Sequence, residues 1–205
     1  MGILLTIAIP TVIGRKKVFD ELYQEFERQV KPFGKQIEII YICDNKDITT
    51  GHKRQLLNEM SKGKYIVQWD DDDWIHPNGI DMIMKGIETD ADVISYDYSC
   101  DIPLEDFPSF RRKVSIEFSD YADYEQKILF TSPDCKNPIK REIATKIIFN
   151  DVSYSEEYYF KIEMASKKLL KTEYKINEDI YQILNRSGES YNFIDRYNLK
   201  PKKIL

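Results

Sequence analysis

KYIVQWDDDDWIHP, residues 64–77, sets a short apolar run against four successive aspartates, and its reading decides the fold. Tyr65–Trp69 is a short, mostly apolar run, and it predicts a strand. The abrupt change at Asp70 marks the end of that strand. Reading toward the N-terminus, Lys53–Met60 predicts a helix with Leu56, Leu57 and Met60 turned inward, closed by Lys62-Gly63. Before it, Ile37–Cys43 is a second apolar strand that stops at Asp44-Asn45. Val18, Leu22, Phe26 and Val30 recur every fourth residue, the stripe of an amphipathic helix ended by Pro32-Phe33-Gly34. Leu4–Ile9 is a further apolar strand, stopped by Pro10. Reading the other way, Ile75–Glu88 predicts a helix opened by Pro77, and Val93–Tyr98 a fourth strand. Strand, helix, strand, helix, strand in the first 70 or so residues predicts an α/β fold: a three-layer α/β/α arrangement around a mostly parallel, mixed sheet.

The second half is less regular. Asp101–Arg112 is polar, holds Pro103 and Pro108, and reads equally as a loop near a site or a surface excursion. Lys140–Ile147 and Glu156–Leu170 predict helices, and Lys175–Leu184 a late strand. The tail Tyr197–Leu205 is basic and reads as a solvated terminus. No repeat or linker appears, so residues 1–205 form one expected domain, large enough to bury a core without disulfides.

Composition narrows the functional classes. Hydrophobic residues at 42% and charged residues at 32% suit a folded soluble chain. The 35 acidic against 30 basic side chains give no sign of a nucleic-acid binder. Cys43, Cys100 and Cys135 are scattered, and His52 and His76 lie at no zinc-ligand spacing from them. An odd cysteine count also argues against a disulfide framework, which points to a reducing, cytoplasmic compartment. The opening MGILLTIAIPTVIG lacks a basic start and breaks at Pro10, so it reads as a buried strand rather than a signal segment, and no stretch is long enough to span a membrane. The 14 tyrosines read mainly as packing residues.

Ligands of open α/β sheets bind beyond the carboxyl ends of the strands. Three such ends carry polar residues here: Pro10-Thr11, Asp44-Asn45 and Asp70–Asp73. Four adjacent carboxylates repel one another and lose hydration when buried, so folding alone gives no reason to place them there. A divalent cation removes that cost, and Mg²⁺ or Mn²⁺ commonly joins one or two carboxylates to substrate phosphates. In an extended segment Asp70 and Asp72 point one way, so both would reach one ion. An EF-hand loop is excluded by Ile75 at its sixth place, where glycine is required. Lys53, Arg54 and Arg15 read as phosphate contacts or as surface charges. Asp44 reads either as an acceptor for a nucleobase N–H or as a turn residue. His52 and His76 read as surface or capping residues. Ser155 reads as an N-cap for the helix that Glu156 and Glu157 open, acids that the helix dipole favours there. Neither a P-loop nor a dinucleotide fingerprint occurs.

In order, LLTIAIPT (residues 4–11), IEIIYICDN (37–45) and GHKRQLLNEMSKGKYIVQWDDDDWIHP (51–77) resemble family 2 glycosyltransferases of the GT-A fold. The third segment is the specific one: a lysine-arginine helix, a glycine turn, an apolar strand, then a DxD motif with a further Asp, an aromatic residue and a proline. The likeness covers the first 100 residues well and the rest loosely. It implies metal-dependent transfer of a sugar from a nucleoside-diphosphate sugar to an acceptor hydroxyl, with inversion. It places Pro10, Thr11 and Asp44 at the nucleoside, Lys53 and Arg54 by the nucleotide, and Asp70 and Asp71 on the donor. Asp72 becomes the direct metal ligand, with Asp70 as the other half of the DxD pair. Where the family often has two aspartates after the second strand, Cys43 takes the first place, which departs from the usual uridine pattern. The family's Glu-Asp pair at a later helix matches FNDVSYSEEYYFKI (149–162). That makes Glu157 the general base with Glu156 beside it, and Asp151 the reserve. Trp69, Trp74, Tyr158 and Tyr159 are candidates for stacking on a sugar. A chain of this size leaves little for an acceptor site, so the acceptor binds shallowly, or a protein partner or second copy completes the pocket. The rival readings are a nucleotidyl- or phosphoryl-transfer enzyme using the same aspartates, and a catalytically inactive nucleotide-sugar or glycan-binding module.

Overall fold

The computed structural model describes residues 2–100, 110–123 and 125–184. In chain order the elements are β1 (Leu5–Val12), α1 (Lys16–Val30), β2 (Ile37–Asp44), α2 (Thr50–Met60), β3 (Tyr65–Gln68), β4 (Trp74–Ile75), α3 (Gly79–Ile87) and β5 (Val93–Cys100). They continue with β6 (Phe110–Val114), β7 (Tyr121–Asp123), β8 (Ile128–Thr131), β9 (Ile139–Lys140), α4 (Arg141–Ala144), α5 (Glu156–Ser166) and β10 (Glu173–Ile183).

β1 lies between β2 and β3, parallel to both, with Leu5 opposite Ile37 on one side and Tyr65 on the other. β5 runs parallel to β10. The two-residue β9 fits between β3 and β5, antiparallel to each, and closes the sheet. The end of β5 also pairs antiparallel with β6, which carries β8 and then β7 outward as a small extension. The sheet is therefore mixed, and parallel where the apolar runs are longest.

Alternation along the strands builds the two outer layers. Leu5, Ile7 and Ile9 face Phe19, Leu22 and Phe26 of α1 and Ile80, Ile83 and Ile87 of α3. On the other face Ala8, Ile66 and Val93 meet Leu57 of α2, Ile143 of α4, and Phe160 and Met164 of α5. The expected layering of helices on both sides of a mixed sheet is what the chain adopts.

Element ends differ from the sequence reading for local reasons. α2 starts three residues earlier than Lys53, because Thr49 Oγ1 accepts from His52 N–H at 3.0 Å and caps it. α3 starts at Gly79 rather than Ile75, since Trp74 and Ile75 pair antiparallel with Gln182 and Tyr181 of β10. The helix expected over 140–147 shrinks to one turn at 141–144, because Ile139–Lys140 is spent as the strand between β3 and β5. α5 stops at Ser166, where Lys168 turns left-handed (φ 48°) and Leu169 N–H reaches back to Met164 O at 3.2 Å. Most of the stretch read as a polar loop, 101–109, and the basic tail lie outside the described residues; Phe110–Arg112, read as part of that loop, begins β6. Among the described residues no helix is long and apolar enough to cross a membrane.

Candidate active site

A cavity of about 290 Å³ opens beyond the carboxyl ends of β1 and β3. Pro10 and Thr11 of β1, Lys53 and Arg54 of α2, the whole run Asp70–Asp73, and Glu156 and Glu157 of α5 all line it. Of the acids singled out in the sequence, Asp44 and the reserve Asp151 do not. Asp44 accepts from Ile48 N–H at 2.9 Å and pairs with Lys53, whose Nζ also donates to Thr11 O at 2.9 Å. Its carboxylate thus makes a turn and braces the end of β1 against α2. Asp151 accepts from Thr49 Oγ1 instead of facing the cavity.

The aspartate run does not continue the strand. β3 ends at Gln68 and the chain turns at Asp71–Asp72, so the alternation that would aim Asp70 and Asp72 at one ion is lost. Each carboxylate instead has its own surroundings. Asp70 takes Arg54 Nη2 on one oxygen at 2.6 Å and Lys136 Nζ on the other at 2.7 Å. Burial opposes its ionisation, but Lys136 and Arg54 outweigh burial and hold it well below the usual carboxylate range. Asp71 accepts from Thr11 Oγ1 at 2.6 Å and Arg15 Nη1 at 2.9 Å, yet burial leaves its pKa raised. Asp72 lies 3.6 Å from the same Arg15 nitrogen. Asp73 accepts from Tyr181 OH and, at 3.0 Å, from Leu184 N–H. Burial, with the charges of Asp70 and Asp72 adding to it, pushes Asp73 up to about 8. Among the described residues no three Asp, Glu, His or Cys side chains converge as a self-sufficient metal cage.

Glu156 and Glu157 arrive from more than 80 residues away in sequence and meet the same cations. Arg54 Nε contacts Glu156 at 3.3 Å, and Arg54 Nη2 and Lys136 Nζ both donate to Oε1 of Glu157. Asp70 and Glu157 are therefore joined twice over, through Arg54 and through Lys136. Burial raises Glu156 to about 6, with the Glu157 charge adding and Arg54 opposing. Ser155, expected to cap α5, makes no side-chain capping bond; its backbone is left-handed at φ 65°.

Lys136 is the residue that sequence reasoning missed. It sits in the buried turn Pro133–Pro138, docked where Gln68 N–H donates to Cys135 O at 2.8 Å and Trp69 Nε1 to Lys136 O at 3.0 Å. Nothing local marks that lysine as buried; its placement depends on pairing with β3. Arg112 of β6 also lines the cavity, its guanidinium 5.4 Å from the Tyr98 ring centroid. Among the stacking candidates, Trp69 is in the core between Phe26 and Tyr181, and neither Trp74 nor Tyr159 lines the cavity. Tyr158 does, with Tyr154 beside it. His76 Nδ1 accepts from Asn78 N–H at 3.1 Å in the turn before α3, and His52 contributes its backbone to the α2 cap.

A mixed α/β sheet layered by helices, with a polar cavity at its carboxyl edge, is an architecture in which ligands bind beyond the strand ends. No protein-family model matches the chain, and no curated protein does. Solved structures do. S. aureus TarS 1-349 in complex with UDP-GlcNAc superposes with a TM-score of 0.61 at 12% identity, over 92% of this chain and 62% of that one. TarS 1-349 alone gives 0.59 at 12% identity over 88% and 60%, and TarS gives 0.57 at 11% over 88% and 36%. The chain thus spans about 60% of TarS 1-349, and at this identity the likeness establishes a shared fold.

Proposed function

We propose that this chain is a nucleotide-sugar-dependent glycosyltransferase with a GT-A type fold, transferring a sugar to an acceptor hydroxyl with inversion. The observation that carries the reading is the meeting of Asp70–Asp72 with Glu156–Glu157 in one cavity, bridged by Arg54 and Lys136. The fold shared with TarS, solved with UDP and with UDP-GlcNAc, supports it. Pro10, Thr11 and Lys53 form the wall at the nucleoside end, and Arg15, Arg54 and Lys136 supply positive charge where a diphosphate leaves. Glu157 takes the proton of the acceptor hydroxyl as that oxygen attacks the anomeric carbon and the nucleoside diphosphate departs.

The donor set suits a hard divalent cation, Mg²⁺ or Mn²⁺, shared between protein and donor phosphates. Both oxygens of Asp70 are occupied by cations, so Asp72, which faces the cavity beside Arg15, is the carboxylate we assign to hold it. Such an ion would neutralise charge growing on the leaving diphosphate. Cytoplasmic placement belongs to the same proposal, on the strength of three scattered cysteines, an odd number that suits no disulfide framework. So does completion of the acceptor side by a partner or second copy.

Calorimetric titration of a panel of nucleotide sugars and free nucleoside diphosphates, with and without Mn²⁺, tests the reading. Metal-dependent binding of one donor, followed by release of its nucleoside diphosphate on adding an acceptor, is the expected result. Binding without turnover over a broad acceptor panel would instead select the inactive module. No binding by a folded protein would shift the site toward phosphoryl transfer.

A further inference from the structure

Helix geometry alone does not carry Glu156 and Glu157 to the cavity. The segment before α5 is laid against the first two turns of α2. There Gly51 N–H donates to Val152 O at 2.9 Å, Thr49 Oγ1 donates to Asp151, and Phe149 N–H reaches Gln55 Oε1 at 3.1 Å. Gly51 is buried, and a Cβ placed on it would fall 1.9 Å from Asn150 O and 2.9 Å from Val152 O. Both obstacles are backbone and cannot swing aside as a side chain can. From this contact the chain enters α5 through Ser155, whose left-handed φ of 65° costs a non-glycine residue about 1 kcal/mol or more. Two residues on, Glu157 meets Arg54, which stands on α2 three residues after Gly51. One helix therefore holds both the approach to the acid pair and the acid itself.

We propose that Gly51 is a positioning residue for Glu157: its missing side chain sets how closely residues 150–155 approach α2, and so where α5 begins. The proposal rests on the glycosyltransferase reading of Glu157. An alanine must drive the Asn150 backbone away by at least about 1 Å to reach a contact that real Cβ atoms make. Displacement of that size at a reacting group is worth about 100-fold in rate.

The experiment compares Gly51→Ala, Glu157→Gln and the double variant in the full chain. It measures turnover, donor affinity by calorimetry, and amide hydrogen exchange over residues 148–158. Gly51→Ala is expected to lower kcat by about 100-fold and to leave the donor Kd within about threefold. It should speed exchange over 148–158, and the double variant should be no slower than Glu157→Gln alone. Wild-type kcat in Gly51→Ala, or losses that multiply in the double variant, would overturn the assignment. Should Gly51→Ala not fold, Asp151→Ala removes only the Thr49 strut. It is expected to give a smaller drop in kcat that vanishes on the Glu157→Gln background, and a drop that persists there overturns the proposal. If the wild-type protein transfers no sugar, it is the functional reading that fails. Exchange then decides the positioning by itself: acceleration over 148–158 with α1 unchanged supports it, and unchanged exchange refutes it.

Discussion

In residues 5–100 two strands, β1 and β3, reach the cavity from inside the core: every residue of β1 from Leu5 to Thr11 and all four of β3 are buried, so burial fixes their depth. In residues 110–183 the extension β6–β8–β7 is built of short, half-exposed strands, and β6 and β8 bury only alternate residues. Buried charges brace that region instead. Lys161 of α5 pairs with Asp120 and donates to Thr131 at 2.9 Å, tying the β6–β8–β7 extension to the helix that carries the acids. Lys136 does the same for Asp70 and Glu157. Apolar packing tolerates small errors and ignores pH, whereas a buried ion pair depends on both partners. On the proposed reading, the first region would give the donor a fixed wall, and the second would hold the few charges the chemistry needs in set places.

The largest expected effect divides the two regions by function. Glu157→Gln keeps the shape of α5 and should lower kcat by about 10²–10⁴-fold while donor affinity stays within about threefold. If donor affinity falls as far as turnover, binding and chemistry are not separated between the regions, and the comparison breaks. Next is Lys136→Met, which leaves Asp70 and Glu157 with Arg54 as their shared cation. Removing one member of a buried charge cluster should cost about 3–5 kcal/mol, read as a fall in denaturant midpoint at unchanged slope. Adding Asp70→Asn should restore part of that loss, because it removes the charge left behind. A loss below about 1 kcal/mol would mean that the second region does not rest on this cluster. Asp72→Ala comes third: a loss of about 2 kcal/mol or more in Mn²⁺-dependent donor binding, about 30-fold, with thermal stability unchanged. Unchanged binding by the folded variant would remove Asp72 as the metal ligand.

What the sequence made legible follows the same division only in part, since α5 and β10 of the second region were also expected, over 156–170 and 175–184. Apolar runs and four-residue spacing are local signals. They disclosed β1, β2, β3, β5 and α1, and with them the three strand ends where polar residues gather. The small extension β6–β8–β7 carries no such run, and β9 is two residues long, so neither was visible before pairing. The site was half legible. The aspartate run announced itself because four adjacent carboxylates at the end of an apolar strand need an explanation, and Glu157 came from resemblance rather than from local chemistry. The bridge between them did not show, because Arg54 and Glu157 are 103 residues apart and Lys136 and Asp70 are 66 apart. Asp44 was ambiguous until Lys53 and Ile48 were seen to occupy its oxygens.

The smallest effect concerns Glu156, and it asks whether the second region is as pH-dependent as its buried charges imply. Burial raises this carboxyl from an ordinary 4.5 to about 6 in the folded protein. A carboxyl whose native pKa lies above its unfolded value adds stability that is complete below about 4.5 and is lost as pH climbs through about 6. The change of about 1.5 in pKa corresponds to about 2 kcal/mol. Glu156→Gln cannot ionise, so its unfolding free energy should lack that part of the fall between pH 4.5 and 6.5. Asp71 and Asp73 are also raised by burial and add slopes of their own, so the informative quantity is the difference between wild type and variant. Leu57→Ala, a cut in the apolar packing of α2, is the control and should shift stability equally at both pH values. A Glu156→Gln variant that keeps the whole wild-type slope would show that Arg54 holds Glu156 ionised throughout. Glu156 would then keep its charge beside Arg54 across that range.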